Sequence, residues 1–190
     1  MIYLYQHNGG ITLKTIAVYC GSRIPNNPIY KEVAIELANY FVDNNIRLVY
    51  GGATVGIMGI IADEMIRLNG TVVGVMPKVL TELEILHPNL TELIETEDMH
   101  ARKKTMMDLA DAFIAFPGGC GTMEEIFEVI TWSQIGIHTK PYGFLNLDHF
   151  YDGIETYLDT ATNTGFLSKE NRSNIIFESN FDEFMNKLIA

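Results

Sequence analysis

The chain has 190 residues, 47% apolar and 19% charged, which fits one globular domain with a substantial core and excludes a disordered chain. Its formal net charge is −11, which argues against general binding to DNA, RNA or anionic lipid, so neither a nucleic-acid nor a membrane partner is expected. No uninterrupted apolar run reaches the roughly 18 residues of a membrane span, and Cys20 and Cys120 fit no zinc spacing and read as free thiols of a reducing, cytoplasmic compartment.

Residues 1–13 lack the basic-then-apolar layout of a signal peptide and read as a loosely ordered N-terminal extension. A single domain is expected over 14–190. Thr15–Cys20 reads as a strand, followed by the loop GSRIPNNP and a helix from Ile29 to Asn44. A second strand at Arg47–Tyr50 runs into GGATVGIMG and a helix to about Leu68. Strands follow at Thr71–Met76 and Thr91–Glu97, then a helix over Met99–Ala110 and a fifth strand at Ala112–Phe116. The loop PGGCG leads into another helix. A sixth strand at Tyr142–Asn146, a helix over Tyr151–Thr162, a strand at Asn174–Phe177 and a helix over Phe181–Ala190 complete the chain. Apolar strands alternating with helices imply an α/β fold, a Rossmann-like doubly wound parallel sheet with helices on both faces. In such sheets ligands bind beyond the carboxyl ends of the strands. Three glycine-bearing loops would gather there: Gly21 and Ser22 after the first strand, Gly51 and Gly52 after the second, Gly118, Gly119 and Gly121 after the fifth.

A glycine loop entering a helix exposes backbone donors at the positive end of the helix dipole, which suits a phosphate. The same glycines could serve only tight strand-to-helix turns. Thr122-Met123-Glu124-Glu125 allows two readings of Glu125: a capping box closing onto Thr122, or a carboxylate with a chemical task. Glu124, about 100° around the helix, reads as the solvent-facing acid. Arg102, Lys103 and Lys104 crowd the start of a predicted helix, where cations oppose the dipole. That placement favours a dedicated anion partner over a merely solvated basic face. His100, His138 and His149 show no metal-ligand spacing, and Cys120 has no identifiable base beside it. Ile126–Ile137 is apolar on most faces, so beyond its own sheet it needs another layer or a second subunit.

Two of these stretches form a paired signature. PGGCGTMEE fits PGGxGTxxE and MHARKKTM fits MHxRKxxM, and YCGSR, YGGATVGIMG and VITWSQIGIHTKPYGFLN follow the same order. From about Lys14 to Ala190 the chain resembles the LOG (Lonely Guy) family of cytokinin riboside 5′-monophosphate phosphoribohydrolases, long labelled as lysine decarboxylases. Ala53, where a third glycine is frequent, and Cys120, where tyrosine is common, depart from the pattern. The resemblance implies a homodimer or larger homo-oligomer that hydrolyses the N-glycosidic bond of adenine-type nucleoside 5′-monophosphates, N6-prenylated ones included. It places the catalytic pair on Arg102 and Glu125. Substrate contacts are implied at Met99, Arg102, Lys103, Gly118, Gly119, Cys120, Gly121, Thr122, Glu125 and Glu84, besides Gly21, Ser22, Gly51 and Gly52. No cofactor or metal is implied. The alternative is a non-catalytic carrier of a nucleotide or the molybdenum cofactor with the same fold, against which the joint presence of Arg102 and Glu125 speaks.

Overall fold

The computed structural model describes residues 14–81 and 86–190. The N-terminal extension and Glu84 lie outside the described residues. Seven strands form one parallel sheet: β1 Thr15–Tyr19, β2 Arg47–Tyr50, β3 Val72–Pro77, β4 Glu92–Thr96, β5 Ala112–Ala115, β6 Tyr142–Leu145 and β7 Ile175–Glu178. Their order is β4-β3-β2-β1-β5-β6-β7. The helices are α1 Ile29–Asp43, α2 Gly56–Arg67, α3 Lys78–Thr81, α4 Met99–Leu109, α5 Cys120–Gln134, α6 Asp152–Asn163, α7 Lys169–Ser173 and α8 Phe181–Ile189. The expected strands and long helices are present, with ends within a residue or two. The four- and five-residue helices α3 and α7, and a 3-10 turn at Leu147–His149, went unpredicted.

Alternation along the strands divides the core into two layers. Ile16, Val18, Leu48, Tyr50, Ile114 and Phe116 face α1, α2 and α8. Ala17, Tyr19, Val49, Val75, Phe113 and Ala115 face α4, α5 and α6. Both faces of β1 and β5 are therefore dry, as a covered parallel sheet requires. Edge strand β4 is mostly exposed and carries Glu92 and Glu95, charges that discourage edge-to-edge pairing.

Chain order reverses at β1. Strands β2, β3 and β4 build outward on one side of it, β5, β6 and β7 on the other. This is the topological switch point, where the loops beyond adjacent strands part company and leave a crevice. Before they part they are joined: Phe116 N donates to Tyr19 O at 2.9 Å, and Gly21 N to Pro117 O at 3.3 Å. The β1 loop is also tied to the start of α2, where Ile57 N donates to Gly21 O at 3.0 Å.

That last contact depends on Gly56. Its φ is +62°, and a Cβ there would lie 2.3 Å from Ser22 C and 2.4 Å from Arg23 N, backbone atoms that cannot swing aside. Gly56→Ala is expected to destabilise the fold by about 1–3 kcal/mol through backbone strain. A urea midpoint equal to that of the parent protein would show that the β1 loop does not rest on this glycine.

Candidate active site

The signature loop leaves β5 at Phe116 and enters α5 with Gly119 as N-cap, with no side-chain cap on the first-turn amides. Thr122 is therefore inside the first turn and buried, not at the cap, and Glu125 lies in the second turn. The capping-box reading of Glu125 fails for this reason: the helix begins three residues earlier than that motif requires. Cys120 and Gly121 are exposed, and Gly118 and Gly119 line a crevice of about 350 Å³ together with Gly21, Ser22 and Arg23. Tyr30, Ile57 and Phe150 form its apolar wall, so it opens on the α1 and α2 side of the switch point.

Across the sheet top, α4 delivers the basic run. Asp98 caps α4, its Oδ1 accepting from Ala101 N at 2.8 Å. Arg102 is 9% exposed and runs along the ends of β2 and β3. Its Nε donates to Val75 O at 3.0 Å, its Nη1 lies 3.8 Å from Met99 Sδ, and its Nη2 lies 3.7 Å from Glu125 Oε1. A Cβ on Gly51 would come within 2.4 Å of that Nη2, so the glycine is what lets the guanidinium lie flat on the strand end. Gly52 is buried beside it, and its carbonyl accepts from His87 N at 2.9 Å. The second glycine loop is thus occupied by Arg102 and by the segment after Leu86.

The anion partner demanded by the basic run lies within the chain. Arg102 faces Glu125, Lys103 pairs with Glu124 and Glu128, and Lys104 pairs with Asp108. Glu124 is about half exposed, but it is an ion-pair partner and not a purely solvated acid. Behind Glu125 stands Tyr19, 2% exposed. Burial, then the charges of Glu125 and Glu128, hold its hydroxyl well above the usual phenol range. Burial and then Glu125 likewise push up the Cys20 thiol, which is no candidate nucleophile. Sequence reading missed Tyr19, Val75 and Glu128. Only Glu128 carried a signal, lying four residues after Glu124 and so on the same helix face. Among the described residues no group of three or more His, Cys, Asp or Glu side chains is placed to hold a metal ion, and no helix is long and apolar enough to cross a membrane.

A doubly wound parallel sheet with an uncapped glycine-loop helix at its switch point defines a Rossmann-like α/β protein. The family described as "Possible lysine decarboxylase" matches residues 58–188. The chain is 46% identical over 175 residues to the cytokinin riboside 5′-monophosphate phosphoribohydrolase LOG2 of Arabidopsis thaliana, covering 92% of this chain and 82% of that protein. It is 43% identical over 175 residues to the probable phosphoribohydrolase LOGL3 of Oryza sativa subsp. japonica, covering 92% and 83%. The chain belongs to this LOG family, formerly labelled lysine decarboxylases. Among solved structures, the molybdenum cofactor binding protein of Rippkaea orientalis superposes with a TM-score of 0.68 at 22% identity, covering 93% of this chain and 94% of that one, a likeness of fold alone.

Proposed function

We propose that the protein hydrolyses the N-glycosidic bond of adenine-type nucleoside 5′-monophosphates, N6-prenylated ones included, giving free base and ribose 5-phosphate. The observation that carries this reading is the buried juxtaposition of Arg102 and Glu125 on helices meeting beside an uncapped, glycine-lined helix start. It is supported by relatives of 40–46% identity that bear the phosphoribohydrolase name. The carrier alternative rests on fold likeness at 16–22% identity.

In this reading the 5′-phosphate lies against Gly118–Thr122, where backbone N–H groups and the helix dipole favour an anion, with Gly21 and Ser22 on the opposite lip. Breaking the bond from C1′ to the base sends the electron pair out with the base and leaves an oxocarbenium-like sugar, which water attacks. Glu125 stabilises that charge or takes the proton of the attacking water. Arg102, fixed by Val75 O and the Gly51 surface, orients Glu125 and contacts the nucleotide. Met99, at the start of α4 beside Arg102, borders the same space; Glu84 is proposed as a substrate contact by family resemblance. We place the enzyme in the cytoplasm, in keeping with two free cysteines.

A nucleotide panel with phosphate-free controls tests the reading. AMP and prenylated AMP are expected to release base at least about a hundredfold faster in kcat/KM than the matching nucleosides, the scale of several kcal/mol of lost phosphate binding. Equal rates on adenosine and AMP, or no base release from any nucleotide, would refute it.

Glu125→Gln keeps the side-chain shape inside α5. Neutralising Glu125 removes the counter-charge of the buried Arg102 guanidinium, so stability is expected to fall by about 1–3 kcal/mol, while turnover falls at least about a hundredfold. Glu124→Gln is expected to be much milder. A nearly active Glu125→Gln enzyme would remove Glu125 from the chemistry.

The reading includes a homodimer. On α5 and just beyond it, Ile135 is 65% and Ile137 57% exposed, with Phe127 and Trp132 only partly buried. An apolar face of this kind is a liability on a monomer. Light scattering at micromolar concentration is expected to give at least twice the chain mass; a monomer mass would discard the dimer.

A further inference from the structure

Lys103 is the cation that family resemblance assigns to the nucleotide, yet its surroundings fit another task. It is 7% exposed, and its ammonium is paired with Glu124 and with Glu128, the latter at 2.6 Å. Those two acids stand one turn apart on α5, a spacing at which like charges repel. The Glu128 Oε2 atom is buried, and among the described residues no donor besides the Lys103 ammonium meets it. Swinging Lys103 away to a phosphate would strand that buried oxygen, which is costly. Burial by itself would lower the Lys103 pKa, but the hydrogen bonds to Glu124 and Glu128 more than offset it, so the pKa is raised and the ammonium stays charged.

Glu125 is flanked by these acids on its own helix. Arg102 reaches it from α4 and Tyr19, at the end of β1, stands on the sheet side, while Cys20, the residue after β1, packs in the opposite layer and feels only its charge. Glu125 and Glu128 stand three residues apart on α5 and so share a face, Glu124 lies at its more exposed edge, and the charges of all three raise the pKa of the Tyr19 hydroxyl. Arg102 offsets one of them. Without a second cation, the repulsion of the others would favour protonating Glu125.

We propose that Lys103 is a positioning residue for Glu125, neutralising Glu124 and Glu128 so that Glu125 stays ionised and held toward the reacting sugar, and that it is not the ligand of the substrate phosphate. The inference rests on the proposed role of Glu125. It also assigns Glu128 a part in the site: it anchors Lys103 against α5.

The test reads Glu125 directly. The carboxyl carbon of Glu125 is titrated by NMR in the full chain, beside the pH profile of kcat/KM on AMP, for the parent protein, Lys103→Met, Lys103→Arg and Lys103→Met/Glu128→Gln. In Lys103→Met the Glu125 midpoint is expected to rise by about one pH unit, the scale of one nearby charge in a partly screened site. The acid limb of kcat/KM should rise with it, while KM for AMP changes less than about threefold, since little substrate binding is removed. Lys103→Arg is expected to keep the native midpoint, and adding Glu128→Gln to Lys103→Met should move the midpoint back. An unmoved midpoint with a KM raised tenfold or more would make Lys103 a phosphate ligand and overturn the proposal. If Lys103→Met does not fold, Glu128→Gln alone carries the test with the opposite sign: its Glu125 midpoint should fall, and a static midpoint overturns the proposal. Because the titration needs no substrate, a parent protein that leaves AMP intact would overturn the proposed function without deciding the coupling.

Discussion

The pairing of β1 with β5 is the constraint on which the candidate site depends. It sets Tyr19 beside Ala115 and carries the chain past the sheet edge with the two loops still hydrogen-bonded, Gly21 N to Pro117 O. Only then do they diverge, one toward α1 and the other into α5. Reversal of strand order here puts α1 and α2 on one face and α4 and α5 on the other. The crevice and the Arg102–Glu125 pair thus lie on either side of one loop junction. Shifting β5 by one residue would turn Phe113 and Ala115 to the opposite layer, so core packing and site geometry are fixed by the same register.

The second organising feature is the seam between α4 and α5. Arg102 and Lys103 are adjacent in sequence, yet they engage acids spread over more than a turn of α5, from Glu124 to Glu128. Such half-buried pairs contribute little net stability, because desolvation offsets most of the attraction. What they supply is register: one axial placement of α4 against α5 satisfies all of them. The same placement brings the Arg102 Nε onto Val75 O, so the helix is fixed to the sheet as well as to its neighbour.

The sheet and its long helices were legible because the strands other than β4 are short, largely apolar runs bounded by turn residues, as at Arg47–Tyr50 and Ala112–Ala115. The helices α3 and α7 were not, since four or five residues carry no periodicity. The role of Glu125 stayed open between two readings because Thr122-x-x-Glu125 imitates a capping box, whereas Gly119 provides the N-cap of α5 with no side chain at all. The basic run was read as calling for a dedicated anion partner, and the anions set against it in the structure are carboxylates of the chain itself. That the anions would be Glu124, Glu125 and Glu128 of the next helix is long-range information, absent from any local pattern. Tyr19 was invisible for a similar reason: within a buried strand it looks like packing, and its hydroxyl matters only through what α5 brings to it.

An acidic chain that is to hold a phosphate dianion faces a conflict at α5, because the positive end of that helix also stabilises its own carboxylates. The arrangement separates the two demands along the helix axis. The first turn, with Gly119, Cys120 and Gly121 exposed and no side-chain cap, carries none of the helix's carboxylates. The carboxylates begin at Glu124, at the second turn, where the dipole has already weakened. Their charge is then answered by α4, whose cations sit near its own N-terminus against the local dipole and are therefore better satisfied by α5 than by solvent. With net charge −11 the long-range field repels a nucleotide. Capture in the proposed reading thus falls to short-range donors, the backbone amides of the loop and the side chain of Arg102, with Arg23 the one charged side chain among the described residues that line the crevice.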